Sequence, residues 1–201
     1  MTYKFVGQPL LTGRYEPEGI YLQSPLAGRF PVVQLWAEHA EFYGQFTYHG
    51  VPVKGHPGLD IAAPVGTKVQ AVDGGRILEL SFELGGFGRY IKIDHSWGES
   101  FYAHLAETLV DAGQTITRGE VIALSGDNDG KLTPHLHFAI RIRPFNRFDG
   151  WGGFTDPLPF LNGSDLLLPE EDHADELPVP QKTKDTHLPP LVSEKSGMRR
   201  P

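Results

Sequence analysis

The stretch "TPHLHFAIRI", residues 133–142, carries two histidines two positions apart inside an otherwise apolar run. Its β-branched and aromatic residues favour a strand, in which residues i and i+2 share a face about 7 Å apart. His135 and His137 therefore point the same way. The alternate positions predict a face that packs into the core, and they are Leu136, Phe138, Ile140 and Ile142. An HxH pair alone also occurs by chance on exposed strand faces, so its meaning depends on the rest of the chain.

Short alternating or apolar runs, separated by Gly-rich turns about every ten residues, continue through residues 66–126. This spacing predicts a mainly β fold, with an antiparallel sheet or a sandwich-like arrangement rather than βαβ units. The segment "LWAEHAEFYGQF", residues 35–46, predicts one short helix at most, because Gly44 limits its length.

A chain of 201 residues accommodates one domain with flanking segments. We predict an N-terminal lead segment at residues 1–23, a catalytic domain at residues 24–168 and a C-terminal tail at residues 169–201. The acidic tail holds six of the 17 prolines and no aromatic residue. It has too little apolar area to bury, so we predict that it is disordered.

Composition narrows the possible functions. The hydrophobic and charged fractions, 39% and 21%, are typical of a soluble globular protein, and no apolar run is long enough to predict a membrane span. The net charge of −7 argues against a nucleic-acid partner. Because the chain has no cysteine, any metal must be held by His, Asp or Glu. The sequence does not indicate an oligomeric state.

The segment "KGHPGLDIAAPVG", residues 54–66, places an aspartate four residues after a histidine. Pro57 and Gly58 make a helix improbable here, so a turn that leads into a strand fits better. Core-facing Leu59 and Ile61 would turn Asp60 to the opposite face, towards His56. An Asp that only caps the turn is an equally simple explanation.

The segment "SFYAHLAE", residues 100–107, contains a further histidine. Strand alternation predicts that Phe101, Ala103 and Leu105 share one face and that His104 lies with Tyr102 on the other. Taken singly, His104 fits a surface strand position.

Together these motifs offer enough ligands for a metal. Catalytic zinc usually has three protein ligands and one open position, and it accepts His nitrogen and carboxylate oxygen. His56, Asp60 and one histidine of the HxH pair supply such a set.

Three of these motifs resemble one known family. "GHPGLDIAAPVGTKVQAVDGGRIL", "YAHL" and "PHLHF" occur in the order and approximate spacing of lysostaphin-like zinc metalloendopeptidases, which belong to metallopeptidase family twenty-three and cut the peptide part of bacterial peptidoglycan. The resemblance covers about residues 24–161, and "DPLPFL" resembles the closing element of the family. It implies a domain with a narrow groove.

The resemblance also implies roles for five residues. His56, Asp60 and His137 match the ligands of one Zn²⁺ per chain, while His104 and His135 match the two catalytic histidines. The implied substrate is a cross-bridge or stem peptide of peptidoglycan, and which bond is cut is not specified.

Origin and location are less strongly indicated. Trp36 followed by Ala37 is a weak match to phage-associated relatives and hints at a phage or prophage endolysin. The N-terminus lacks the features of a standard secretory signal. We therefore expect synthesis in the cytoplasm and action on the cell wall after lysis, by non-standard export, or as a phage component.

Other classes fit less well. A catalytically silent wall-binding or hydrolase-activator domain of the same fold would not need the complete five-residue set. A cupin-like enzyme also carries HxH on a strand but expects a Glu soon afterwards, and "HFAIRIRPFN" has none. A serine hydrolase would need a GxSxG elbow, which Ser125 lacks.

Overall fold

The computed structural model describes residues 19–161 and 165–169. Most of the predicted lead segment and all but the first residue of the predicted tail lie outside these ranges. The secondary-structure elements, in chain order, are β1 (Phe30–Gln34), α1 (Ala40–Tyr43), β2 (Thr47–Tyr48), β3 (Val51–Pro52), β4 (Leu59–Ala62), β5 (Lys68–Gln70), β6 (Gly75–Glu83), β7 (Gly88–Asp94), β8 (Gly98–Ala103), β9 (Leu105–Thr108), β10 (Thr115–Ile116), β11 (Val121–Ser125), β12 (His135–Ile142), a 3-10 helix (Leu158–Phe160) and β13 (Leu166–Leu167).

An eight-stranded sheet in the order β10-β6-β7-β8-β12-β4-β1-β13 forms the frame of the protein. All neighbouring strands in it are antiparallel except β1 and β13, which are parallel. A three-stranded sheet, β5-β11-β9, and the small β2-β3 hairpin complete the strands. The prediction of a mainly β fold is confirmed, with the addition of one parallel pair.

The main core lies between the eight-stranded and three-stranded sheets. Leu136, Phe138 and Ile140 of β12 are fully buried in it, as the alternation predicts, and Ile142 packs against its margin. Residues of β5 and β11, among them Val69, contribute the other side. The odd-numbered residues of β12 therefore face away from this core.

A second, smaller apolar cluster covers the opposite face of the eight-stranded sheet. It consists of Phe101, Ala103, Ala139 and Phe154, with partly buried aromatic side chains around it. Connecting segments around residues 36–54 and 143–157 lie over this face, so that His137 and Arg141 are buried although they point away from the main core.

The predicted short helix is confirmed as α1, which ends at Gly44. His39 lies at the start of α1, and His49 lies in the turn between β2 and β3. Both are exposed and have positive φ angles. None of the helices in residues 19–161 and 165–169 has both the length and the apolar character that crossing a membrane requires.

Candidate metal centre

Strand pairing brings His137 and Asp60 together. β12 and β4 run antiparallel with His137 opposite Asp60, while Leu136 and Ile61, which face the core, are also paired. His137 Nδ1 lies 2.9 Å from Asp60 Oδ1. The predicted placement of Asp60 away from Leu59 and Ile61 is confirmed, because both of those side chains are fully buried in the main core.

His56 reaches the same point from the turn before β4. Its backbone is fixed by hydrogen bonds from Ala37 N to His56 O and from His56 N to Glu38 O, both 2.9 Å. The ring Nδ1 lies 3.0 Å from the Leu35 carbonyl oxygen. Because a carbonyl only accepts, Nδ1 carries a proton, and Nε2 is the nitrogen that faces Asp60 and is available to a metal once it is deprotonated.

Three potential ligand atoms form a compact triangle. His56 Nε2 is 3.0 Å from His137 Nδ1 and 3.2 Å from Asp60 Oδ1, and the third side is 2.9 Å. A tetrahedral ion with bonds of about 2.0–2.1 Å separates its ligands by roughly 3.3 Å. Two imidazoles and one carboxylate are also a donor set that zinc accepts, so the residues present fit such an ion.

Burial and mutual contact set the protonation of this triangle. Burial raises the pKa of Asp60, but the charge of His56 and the hydrogen bonds from His137 and His56 outweigh it, so the pKa lies well below the usual range. Burial lowers the pKa of His137, and Asp60 opposes this only in part. For His56, burial lowers the pKa, but the charge and the hydrogen bond of Asp60 raise it by more. The net shift of the His56 pKa is therefore upward. Asp60 is therefore ionised and His137 neutral at pH 7, as metal ligands require, whereas the raised pKa of His56 means that a metal displaces a proton from this ring when it binds.

His135 lies at the edge of the triangle. Its Nε2 is 3.8 Å from Asp60 Oδ2, and its Nδ1 is 2.7 Å from the Thr133 carbonyl oxygen. As with His56, the carbonyl identifies Nδ1 as the protonated nitrogen and leaves the Nε2 lone pair facing the centre. The His135 side chain as a whole retains 13% exposure.

His104 completes the group. Its ring centroid is 4.7 Å from that of His135 and 6.1 Å from that of His137. Burial, followed by the neighbouring His135 and His137, holds the pKa of His104 well below its ordinary value, so the ring is neutral. His104 Nδ1 and His137 Nε2 are both buried and have no hydrogen-bond partner within the described ranges.

The predicted alternation holds for Phe101, Tyr102 and Ala103 but is wrong for His104 and Leu105. Tyr102 and Leu105 pack in the main core, whereas Phe101 and Ala103 belong to the cluster on the site face. His104 lies between β8 and β9 with a φ of 58°, in the left-handed region. One left-handed residue breaks the two-residue alternation, and this break lets His104 turn towards the site.

Several residues that shape the centre were not found by sequence reasoning. A Cβ at Gly58 would lie 2.6 Å from the Phe138 carbonyl oxygen and 2.8 Å from His137 Cε1, so only glycine fits beside this ring. Phe87 packs on His137 with ring centroids 5.4 Å apart, and Tyr43 is the same distance from His56. Gly58, immediately before β4, was a signal in the sequence that another part of the chain packs closely against the backbone there. The contacts of Phe87 and Tyr43 could not be found in this way, because they join segments that are far apart in the sequence.

Comparison with known proteins identifies the family. Residues 54–148 match Peptidase family M23. Lysostaphin of Staphylococcus simulans is 31% identical over 111 residues, which cover 54% of this chain and 22% of that protein. The peptidoglycan DD-endopeptidase ShyA of Vibrio cholerae is 36% identical over 140 residues, which cover 66% of this chain and 31% of that protein. The chain thus spans less than a third of the length of either relative.

A solved structure supports the fold. Csd3 of Helicobacter pylori superposes with a TM-score of 0.52 at 22% sequence identity, over 72% of this chain and 34% of that one. All five residues of the centre fall inside the stretch that matches the family. By this match and these relatives, the chain contains a domain of Peptidase family M23.

Proposed function

We propose that this protein is a zinc-dependent endopeptidase that hydrolyses peptide bonds in the cross-bridges or stem peptides of bacterial peptidoglycan. The observation that carries the proposal is the triangle of His56 Nε2, Asp60 Oδ1 and His137 Nδ1, with two further histidines beside it. The relative ShyA is a peptidoglycan DD-endopeptidase, which supports the choice of substrate.

In this proposal His56, Asp60 and His137 hold one Zn²⁺ per chain. When bound, the ion supplies a Lewis acid that polarises a carbonyl and lowers the pKa of water to about 7. The chain fixes the ligand geometry: the Leu35 carbonyl orients His56, and the Gly58 backbone limits the position of the His137 ring. Such supporting contacts commonly change metal affinity by about 10- to 100-fold.

His135 acts as the proton acceptor. The Thr133 carbonyl fixes the proton on Nδ1, so the Nε2 lone pair faces the centre and can take a proton from the attacking water. The protonated ring then donates to the leaving amine. Its 13% side-chain exposure provides the access that this step needs.

His104 supports the same reaction from the other side. It is neutral, half-buried and close to His135, and its buried Nδ1 has no partner in the described part of the chain. A neutral imidazole at this position can donate its one N–H to the developing oxyanion or share the proton transfer with His135. These two divisions of labour both remain compatible with the geometry.

The alternative is a catalytically silent activator domain of the same fold. Metal content and hydrolysis of sacculi distinguish it from the zinc endopeptidase. Purified protein would be analysed for metal by elemental analysis and assayed on sacculi with different cross-bridge chemistry, before and after chelation. We expect about one zinc per chain, hydrolysis that chelator abolishes, and recovery on adding Zn²⁺. The matched control is His95→Gln, which alters a buried histidine remote from the triangle and should keep metal and activity.

Two results would contradict the proposal. Protein that binds zinc stoichiometrically but hydrolyses no type of sacculus would favour the activator. Protein with neither bound metal nor activity after zinc addition would exclude the zinc enzyme.

A further inference from the structure

The turn between β1 and α1 contacts His56 through its backbone. Ala37 N donates to His56 O, and His56 N donates to Glu38 O, both at 2.9 Å. The Leu35 carbonyl oxygen lies 3.0 Å from His56 Nδ1. Both the main chain and the ring of His56 are therefore fixed by residues 35–38, which are far from it in the sequence.

The conformation of this turn is not one that its residues favour by themselves. Ala37 has a φ of 68°, in the left-handed region that residues with a Cβ rarely adopt. Such a residue keeps this conformation only where the surrounding structure fixes it. The position of the Leu35 carbonyl, and with it the orientation of the His56 ring, therefore depends on the hydrogen bonds that hold the turn together.

The side chain of Glu38 supplies one of these bonds. Its Oε2 accepts a hydrogen bond from Leu35 N at 2.9 Å, three residues earlier in the chain, and the contact is partly buried. Leu35 is thus held at both of its backbone polar groups, at N–H by Glu38 and at the carbonyl oxygen by His56. A carboxylate accepts more strongly than a neutral group. Because the other contacts of the turn with His56 use backbone atoms of residues 35–38, the Glu38 carboxylate is the part that a substitution can remove.

We propose that Glu38 is a positioning residue of the metal centre. It holds Leu35 so that the carbonyl of this residue keeps His56 Nε2 directed at Asp60 Oδ1 and His137 Nδ1, which are 3.2 and 3.0 Å away. Glu38 acts through Leu35 and not on the reacting atoms. This inference rests on the proposed zinc site, and it adds a residue that lies outside the stretch 54–148 matched by the family.

Three variants isolate the hydrogen bond. Glu38→Ala removes the acceptor, whereas Glu38→Gln keeps an oxygen that can accept from Leu35 N. Glu120→Ala is the matched control, because Glu120 Oε2 accepts from Thr117 N at the same 2.9 Å and over the same separation of three residues, in the turn before β11. Circular dichroism would verify that each variant is folded.

The first test needs no metal. Amide hydrogen exchange, followed by NMR in the metal-free protein, reports on the Leu35 N–H. Exchange at Leu35 should be about five-fold faster or more in Glu38→Ala, because this N–H loses its acceptor. Glu38→Gln should restore most of the protection, and Glu120→Ala should leave the exchange of Leu35 unchanged.

The second test measures metal binding. Competition with a chelator of known affinity gives the Kd for zinc, which Glu38→Ala should raise by about 10- to 100-fold, the usual effect of losing a contact that supports a ligand. Glu38→Gln should restore most of this loss, and Glu120→Ala should have no effect. The visible spectrum of the Co²⁺-substituted protein, which depends on ligand geometry, should shift in Glu38→Ala alone. At saturating zinc, KM should be the same in all three variants.

The outcomes separate this inference from the proposed function. If the unmodified protein binds zinc and hydrolyses sacculi but the Kd for zinc is unchanged in Glu38→Ala, the positioning role is wrong and the peptidase remains. An equal loss of affinity in Glu38→Ala and Glu38→Gln would also overturn it, because the hydrogen bond would then not be the cause. If zinc binds without any hydrolysis and only Glu38→Ala weakens it, the positioning role is supported and the enzymatic function fails.

Discussion

The described residues include buried histidines in two regions, and the hydrogen bonding of their ring nitrogens differs between the two. Near β7 and β8, His95 has both ring nitrogens paired: Nδ1 is 2.8 Å from the Gly74 carbonyl oxygen and Nε2 is 2.7 Å from Ser100 Oγ. The Ser100 and Tyr102 hydroxyl oxygens lie 3.2 Å apart, and Tyr102 accepts a hydrogen bond from Val72 N. All of these partners are neutral groups of the protein.

The cluster around Asp60 has a charged carboxylate at its centre, and some of its histidine nitrogens lack a hydrogen-bond partner in the described residues. Asp60 contacts three histidines within 3.8 Å, and two further nitrogens, on His104 and His137, are buried without a partner in the described ranges. An unpaired buried polar atom costs stability, so a fold retains it chiefly where it serves another purpose. Burial of a histidine therefore does not mark a site; unsatisfied nitrogens around a carboxylate do.

The largest expected effect follows from removing a ligand. His137→Ala should reduce bound zinc from about one per chain to near zero and abolish hydrolysis, because only two ligands remain. The fold should persist, since the core-facing residues of β12 are unchanged. Elemental analysis, a sacculus assay and circular dichroism measure the three quantities, and retention of both metal and full activity would refute the enzymatic interpretation.

The next effect distinguishes a ligand from a proton acceptor on the same strand. His135→Ala should lower the rate by about 10²- to 10⁴-fold, the usual contribution of a general base. Zinc stoichiometry should stay at one per chain, because His135 is not in the triangle. If this variant lost its metal while His137→Ala kept it, the two roles would have to be exchanged.

A change in the other region should affect stability and not chemistry. His95→Ala leaves the Gly74 carbonyl without its side-chain partner and removes one of the two contacts of the Ser100 hydroxyl, which should lower the free energy of unfolding by about 1–3 kcal/mol. Urea unfolding measures this. Bound zinc and kcat should match the unmodified protein; a loss of metal in His95→Ala would show that the two regions are coupled.

The smallest effect is the pH dependence of stability that His95 contributes. Burial lowers the pKa of His95, and the Gly74 carbonyl and the nearby Asp73 and Asp94 offset this only in part. The unfolded chain therefore binds this proton first, below a pH of about 6.5, and stability falls as the pH drops through that range.

This dependence is measured as a difference. Between pH 7 and pH 5, the unmodified protein should lose more unfolding free energy than His95→Gln, at a slope of at most about 1.4 kcal/mol per pH unit. The subtraction removes contributions from other titrating groups common to both proteins. Equal slopes would indicate that His95 titrates alike in the folded and unfolded chains.

Much of the site could be predicted because its residues obey local rules. The alternation of "LHFAI" and "LDIA" correctly separated His137 and Asp60 from the core-facing residues. The same rule gave the wrong face for His104 and Leu105, because it assumed an unbroken strand through His104. A left-handed residue between two strands is set by what surrounds it, here including the hydrogen bond from His104 N to Phe87 O.

The sequence by itself determined the β character of the chain, the short helix and the set of side chains available to a metal, because composition and two-residue periodicity are properties of neighbouring residues. Only the tertiary structure decided that His137 pairs with Asp60, which nitrogen each ring presents, and that Trp36 meets Trp151. Register, tautomer and cross-segment packing depend on groups far apart along the chain. The Leu35 and Thr133 carbonyls accept hydrogen bonds from Nδ1 of His56 and His135 and so determine that Nε2 faces the centre. They are backbone atoms that every residue carries, so no sequence pattern distinguishes them before folding.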